Sequence, residues 1–432
     1  GQVGVANYWL VIPLVFCENR NVDMLRKALE TQLGYARPDS YQRAVSQLSQ
    51  AYVAGKKPDE LATLTLDFAE RNQPADRLFA NVDGIKFLKH QAGCGGTRDD
   101  AQALVRLLAG YITHPNVAGA TVLSLGCQNA QVSMLEDAIK QIDGAFAKPL
   151  YILEQQGNRT EPQFMADAIR QTFAGLAQAN TCERKPAPVS ALRIGLECGG
   201  SDGFSGISAN PTLGQVSDLL VGLGGSAMLA EFPELSGVEQ EMVNRSVDDE
   251  TATKFVELMR RYEAAAISVG SGFDANPSPG NIKDGLITDG IKSAGAARKG
   301  GTSPVVEVLD YTEQPSRPGL ALLCTPGNDV ESTTALAASG AQIILFTTGL
   351  GTPTGNPIAP TLKVASNTDL ATRMADIIDY DAGKVITGEK TLTEAGEELL
   401  ERVLEVANGT YTPHAVRLQQ DDFIPWKRGV SL

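Results

Sequence analysis

The sequence predicts an α/β fold built on mostly parallel sheets. Short apolar runs alternate with helical segments along nearly the whole chain, and the turns after the apolar runs are rich in Gly, Asn and Pro. Hydrophobic residues make up 43% and charged residues 20% of 432, a balance that supports a large buried core. Length alone points to roughly two or three domains.

The elements follow in order. Tyr8–Phe16 (YWLVIPLVF) reads as a strand and Val22–Leu33 as a helix with Met24, Leu25, Leu29 and Leu33 on its apolar face, closed by Gly34. Pro38–Gln73 is polar with helical spacing; Lys56-Lys57-Pro58 marks a turn, and Asp59 is a candidate cap. Val82–Leu88 reads as a strand, Asp99–Tyr111 as a helix, Val117–Leu125 as a strand and Val132–Ile142 as a helix. Pro149–Glu154 is a strand, and Glu161–Ala179 a long amphipathic helix. Asn180–Ser190 is polar, aperiodic and holds two prolines, so a domain boundary falls there, dividing residues 1–185 from 186–432.

Beyond it the alternation resumes. Ala191–Glu197 is a strand; Asn210-Pro211 reads as a cap with Pro at the first helical position; Gly225–Glu231 is a strand; and Asp248–Val269 is helical. Pro304–Leu309, Gly319–Leu323, Gln342–Thr347 and Thr361–Ala365 read as strands, with helices at Asp329–Ser339, Leu370–Ile378 and Leu392–Asn408. Open parallel sheets bind ligands at the carboxyl ends of their strands, near a topological switch, so chemistry is sought there.

Charge and composition remove several classes. With 37 Lys+Arg against 51 Asp+Glu the net charge is −14, which argues against nucleic acid and anionic membrane partners. The apolar run at Tyr8–Phe16 is too short for a membrane span and lacks the basic flank of a secretory signal. Six cysteines in so long a chain are far below disulfide-scaffold density, so a cytoplasmic enzyme with free thiols is expected. The chain begins at Gly1 and runs almost at once into an apolar strand, so it reads as a fragment with an N-terminal piece absent.

Five of the six cysteines follow predicted strands: Cys17, Cys94, Cys127, Cys198 and Cys324. Packing alone explains many such positions, but thiolates at strand ends also suit a metal or iron–sulfur site. No C-x-x-C pair occurs, so zinc-ribbon and ferredoxin spacings are absent. His90, one of only 3 histidines, precedes the Gly-rich segment around Cys94 and is either a structural histidine, a ligand or a general base. Gly199-Gly200-Ser201-Asp202-Gly203 matches the nucleophile-elbow pattern, but a triad would have only His414 to draw on, so a serine hydrolase is a weak alternative. Asp329 is equally a helix cap and a metal or proton group. Thr347-Thr348-Gly349 supplies hydroxyls and amides suited to a carboxylate or polyol, or forms a plain loop.

Together these segments resemble the altronate/galactarate dehydratase family. The resemblance is carried by Gly4–Pro13 with Phe16-Cys-Glu-Asn-Arg-Asn, His90–Gly96, Leu125-Gly-Cys-Gln-Asn, Glu197-Cys-Gly-Gly-Ser-Asp-Gly, Ala230-Glu-Phe-Pro-Glu, Asn276-Pro-Ser-Pro-Gly-Asn, Cys324-Thr-Pro-Gly-Asn-Asp-Val-Glu and Phe346–Gly355. Ala6 stands where the family usually has Arg, and Gln128 where Glu is common. The resemblance implies a homodimerising middle α/β domain and a C-terminal Rossmann-like domain bearing the metal and substrate site. On the resemblance, the small N-terminal β-rich domain of full-length relatives is expected to be absent from this chain. It implies dehydration of a sugar acid with ferrous iron or another divalent cation and no nicotinamide, with D-altronate the first substrate. Galactarate or another hydroxy acid, and a large subunit needing a partner with the missing domain, are the alternatives.

On that reading His90, Asp329 and Glu331 are the acid/base candidates, and Cys94, Cys127, Cys198 and Cys324 the metal ligands. Arg98 and Lys363 are expected to hold the substrate carboxylate, and Asn281, Thr347 and Thr348 its hydroxyls.

Overall fold

The computed structural model describes residues 2–36, 40–68, 77–157 and 160–431. The ends of the polar 38–73 stretch lie outside them. Two parallel sheets organise the chain. The first holds β1 (Tyr8–Pro13), β2 (Gly84–Phe87), β3 (Val117–Ser124) and β4 (Leu150–Glu154) in the order β2-β1-β3-β4.

The second has seven strands: β5 (Arg193–Cys198), β6 (Ser226–Leu229), β7 (Val305–Leu309), β8 (Gly319–Leu323), β9 (Ile343–Thr348), β10 (Thr361–Ala365) and β11 (Tyr380–Asp381). Their order is β11-β10-β9-β5-β6-β8-β7, all parallel. The mixed α/β class is therefore the one the sequence predicts. In each sheet the chain leaves the first strand to one side and later returns to the other, so the switch points fall between β1 and β3 and between β5 and β9.

Buried helices join the two sheets. Helix 98–113 starts with a capping box between Thr97 and Asp100 and packs on helix 329–338 so closely that a Cβ on Gly110 would strike the Ala338 carbonyl. Leu10 and Ile12 of the first sheet share one core with Met228 and Ile344 of the second and Leu336 of helix 329–338. His114 bonds the Ala341 carbonyl at 3.0 Å, and Asn116 donates to the Gln342 and Ile358 carbonyls. Burial lowers the His114 ring to about 3, so the imidazole is neutral and structural.

Three local readings need correction. Asp59 is not a cap: Lys57 precedes the helix, Pro58 opens it, and Glu60 reaches back to the Lys57 amide. Asn210 is not a cap either; the 209–222 helix begins one residue earlier, and the Asn210 side chain turns inward to bond Gly295 and Thr347. The helix expected over 370–378 runs Thr368–Arg373, because Asn367 caps it by accepting from the Leu370 amide.

Candidate active site

The site grows out of the carboxyl end of β5. Buried from Ile194 onward inside the seven-stranded sheet, β5 delivers Glu197 and Cys198 to the switch point. The loops on either side are stitched together: Gly199 N donates to the Thr347 carbonyl, and Gly349 N to the Gly200 carbonyl, each at 3.0 Å. Gly200 has φ +58, and a side chain on Gly349 would collide with Asp202. Glycine is required at both positions for this close approach.

From β6 comes Glu231, buried and held in the left-handed region at φ 68. Strain of this kind in a non-glycine residue persists only where the surroundings impose it. Its amide donates to Thr325 Oγ1, and its carboxylate accepts from the Cys198 amide at 3.2 Å. Glu234 accepts from the Cys198 thiol at 3.0 Å. Lys299, with no exposed side-chain surface, donates to Glu231 Oε2 at 2.5 Å and to Cys198 Sγ at 2.9 Å, and stands 3.9 Å from Glu234. Lys292 pairs with Glu234 at 2.8 Å.

The electrostatics follow from burial and neighbours. Burial, with the Glu231 and Glu234 carboxylates, raises the Cys198 thiol well above its usual range. Burial opposes the Lys299 charge, but Cys198, Glu231 and Glu234 beside it win and raise its pKa well above that of an ordinary lysine. Glu234 is lowered despite burial, by Lys292 and Lys299. Burial and the neighbouring Glu231 raise the Glu197 carboxyl, which accepts from Ser332 at 2.6 Å, well above its ordinary value.

Across Gly199 lies Asp329. Asn328 caps helix 329–338, accepting from the Val330 and Glu331 amides, which frees the Asp329 carboxylate for other work. A Cβ on Gly199 would collide with that carboxylate. Burial, then the Glu231 and Glu234 charges, push it up to about 7. Lys363 Nζ stacks 3.4 Å from the Phe346 ring centroid and has no hydrogen-bond partner among the described residues. Burial lowers it to about 7, against the pull of Asp329. Two groups of opposite charge type, each acting on the other, are thus shifted toward neutrality.

A cavity of about 370 Å³ opens beside this cluster, lined by Cys198, Ser201, Asn210, Glu234, Lys292 and Arg298 among others. That volume suits a small ligand.

The chain thus places some expected residues together and separates others. Cys198, Asp329 and Lys363 meet at the site, with Thr347 and Asn281 beside it: Thr347 donates to Asn210 at 2.7 Å, and Asn281 donates to Ser201 at 2.9 Å. Thr348 instead accepts from the Gly351 and Thr352 amides and fixes the loop. Cys324 is buried away from the trio beside Asp310, Arg428 and Arg261, and burial raises it to about 12. Glu331 is half-buried and interacts with Tyr262 and Tyr311.

Cys94, Cys127 and Arg98 are exposed at the first sheet. His90 also belongs there: its Nε2 bonds the Pro13 carbonyl at 2.7 Å, its Nδ1 accepts from Ala92, and burial lowers it to about 4. Both nitrogens are engaged, so it acts as a structural tie. All three histidines bond elsewhere, His414 to Arg417, which leaves Ser201 without a triad partner. Lys292 and Lys299 lie in no sequence motif, because no spacing marks a lysine that only the fold buries.

Cys198, Glu231 and Glu234 present ligand atoms within 4.8 Å of one another and could hold a metal ion. The set fits: a sulfur with two carboxylates suits iron, and Glu231 Oε1 is buried without a hydrogen-bond partner among the described residues. An ion there would displace the Cys198 proton and compete with the Lys299 ammonium.

Buried acid–base pairs and a metal-capable trio at the switch point of a parallel sheet define an α/β enzyme for small anionic substrates. The chain belongs to the D-galactarate/altronate dehydratase family. The family's C-terminal profile, described as D-galactarate/Altronate dehydratase, matches residues 189–431, and its second-domain profile matches residues 1–180. The chain is 38% identical to altronate dehydratase of Bacillus subtilis over 82% of its length and 69% of the relative's. It is 35% identical to galactarate dehydratase (L-threo-forming) of Escherichia coli over 71% and 59%, respectively. It is also 33% identical to (2R)-sulfolactate sulfo-lyase subunit beta of Chromohalobacter salexigens over 82% of this chain and 90% of that one. Membership places it among sugar-acid dehydratases, which are lyases. No helix among the described residues is long and apolar enough to cross a membrane.

Proposed function

We propose that this chain dehydrates D-altronate to 2-dehydro-3-deoxy-D-gluconate and water at the β5/β9 switch point. The observation that carries this reading is Asp329, poised near pH 7 against Gly199 and within electrostatic reach of Glu231 and Glu234, the carboxylates that with Cys198 form a metal-capable group. A divalent ion held by Cys198, Glu231 and Glu234, with ferrous iron the favoured choice, would polarise the substrate carboxylate and stabilise the enediolate.

The chain's own groups do the rest. Lys292 and Arg298 attract the anionic substrate, and Asn281 and Asn210 offer amides to its hydroxyls. Ionised Asp329 takes the C2 proton and returns it to the departing C3 hydroxyl, which leaves as water; the enol then becomes the 2-keto acid with no net redox change. Lys363 is a positioning residue whose charge pulls the Asp329 pKa down against the larger effects of burial, Glu231 and Glu234.

The test is metal analysis of anaerobically purified protein, followed by a screen of aldonates and aldarates for 2-keto product. Keto acid from D-altronate, lost on chelation, supports the reading. Folded, metal-loaded protein that forms none overturns it. The similarity to a sulfo-lyase subunit favours a second reading, elimination of sulfite from a sulfonated hydroxy acid, which sulfite release from (2R)-sulfolactate would reveal.

A further inference from the structure

We propose that Cys17, Cys94 and Cys127 hold an iron–sulfur cluster at the end of the first sheet, separate from the Cys198 site. Each thiol follows one of three adjacent strands, β1, β2 and β3, at the carboxyl edge where that sheet has its switch point. All three are free and exposed.

Their loops form one unit. Phe16 N donates to the Ala92 carbonyl and Ala130 N to the Gly93 carbonyl, each at 3.0 Å, so the Cys94 loop is bonded to both of the others. Gly93 and Gly126 adopt φ +98 and +124, and a Cβ on Gly93 would strike the Leu14 carbonyl, so the close approach of the loops is built into the backbone.

Two further features of these loops fit a ligand there. Beside Cys17, the buried atoms Glu18 Oε1 and Asn19 Oδ1 have no hydrogen-bond partner among the described residues. Gln156 Nε2 donates to Cys127 Sγ at 3.3 Å, the kind of bond that tunes cluster sulfurs.

Spacing argues against a single ion. Thiolates on one tetrahedral ion with ~2.3 Å bonds lie about 3.8 Å apart. The one group of three ligand atoms within 4.8 Å of one another among the described residues is Cys198, Glu231 and Glu234, so the three loop sulfurs are spread more widely. A cluster, whose irons each take one thiolate, accommodates a wider spread. Three cysteines on a four-iron cluster leave one iron open to a non-cysteine ligand.

The experiment uses the whole chain, purified anaerobically and reconstituted with ferrous iron and sulfide. Expected are a broad visible charge-transfer band and about four iron and four sulfide per chain. Each of Cys17→Ser, Cys94→Ser and Cys127→Ser should lose the band, while Cys182→Ser keeps it. Differential alkylation of the unmutated chain should show Cys17, Cys94 and Cys127 protected and Cys182 reactive, which needs no variant to fold. Iron without sulfide, a band that survives the triple variant, or equal alkylation of all four thiols overturns the proposal. These readouts do not depend on dehydratase activity, so they stand apart from the altronate test.

Discussion

Lys299→Met gives the sharpest test of the buried cluster. The ammonium has no exposed surface and contacts Glu231 and Cys198 at 2.5 and 2.9 Å, with Glu234 at 3.9 Å. Methionine fills similar space but removes the cation, which leaves Lys292 as the remaining partner of Glu234. Breaking a buried pair on one side destabilises by about 3–5 kcal/mol, because the remaining carboxylate stays buried and unpaired. At ~2.1 cal/mol/K per residue, a cooperative unit of this size has an unfolding entropy near 0.9 kcal/mol/K, so Tm should fall by roughly 3–6 °C. Calorimetry in chelator measures this loss. If Cys198, Glu231 and Glu234 hold an ion, a divalent cation should restore the variant more than it raises the unmutated protein, since saturation at ~100 Kd is worth about 2.7 kcal/mol. An unchanged Tm in chelator would refute the account of the ion pair. A deficit that iron or manganese does not narrow would refute the metal reading.

Other expectations concern Asp329 and its surroundings. Asp329→Asn should reduce kcat by at least two orders of magnitude with little change in KM. In stability the sign is opposite: the folded carboxyl titrates near 7, above its unfolded value, so the unmutated chain loses stability as pH rises from about 4 to 7. The variant should therefore gain Tm relative to it above pH 7 and show no gain below pH 4, as thermal scans against pH will show. Lys363→Met removes a charge that lowers the Asp329 pKa, so the acidic limb of the kcat/KM profile should move to higher pH. A Cβ at Gly199 collides with the Asp329 carboxylate and the Phe346 ring, so Gly199→Ala should cut turnover at least tenfold while circular dichroism stays native.

The fold was legible in the sequence because strand ends carry strong local signals. Thr361–Ala365 and Leu392–Asn408 match the observed strand and helix residue for residue. The site was legible in part. Cys198 and Asp329 stand in Gly-rich turns after strands, where a parallel sheet delivers its chemistry. Lys299 carries no such mark; it matters because tertiary packing buries it beside Glu231. His90 misled for the converse reason: a scarce histidine in a Gly-rich loop resembles a base, yet both its nitrogens are used to tie that loop to β1.

The measurement that bears most directly on the central claim is C2-proton exchange. The iron-loaded chain and Asp329→Asn are incubated with D-altronate in deuterated water, and both C2–H loss and keto-acid formation are followed by NMR. The account predicts 2-dehydro-3-deoxy-D-gluconate from the unmutated chain, and neither exchange nor product from the variant at substrate-saturating concentration. Undiminished product formation by Asp329→Asn would contradict it.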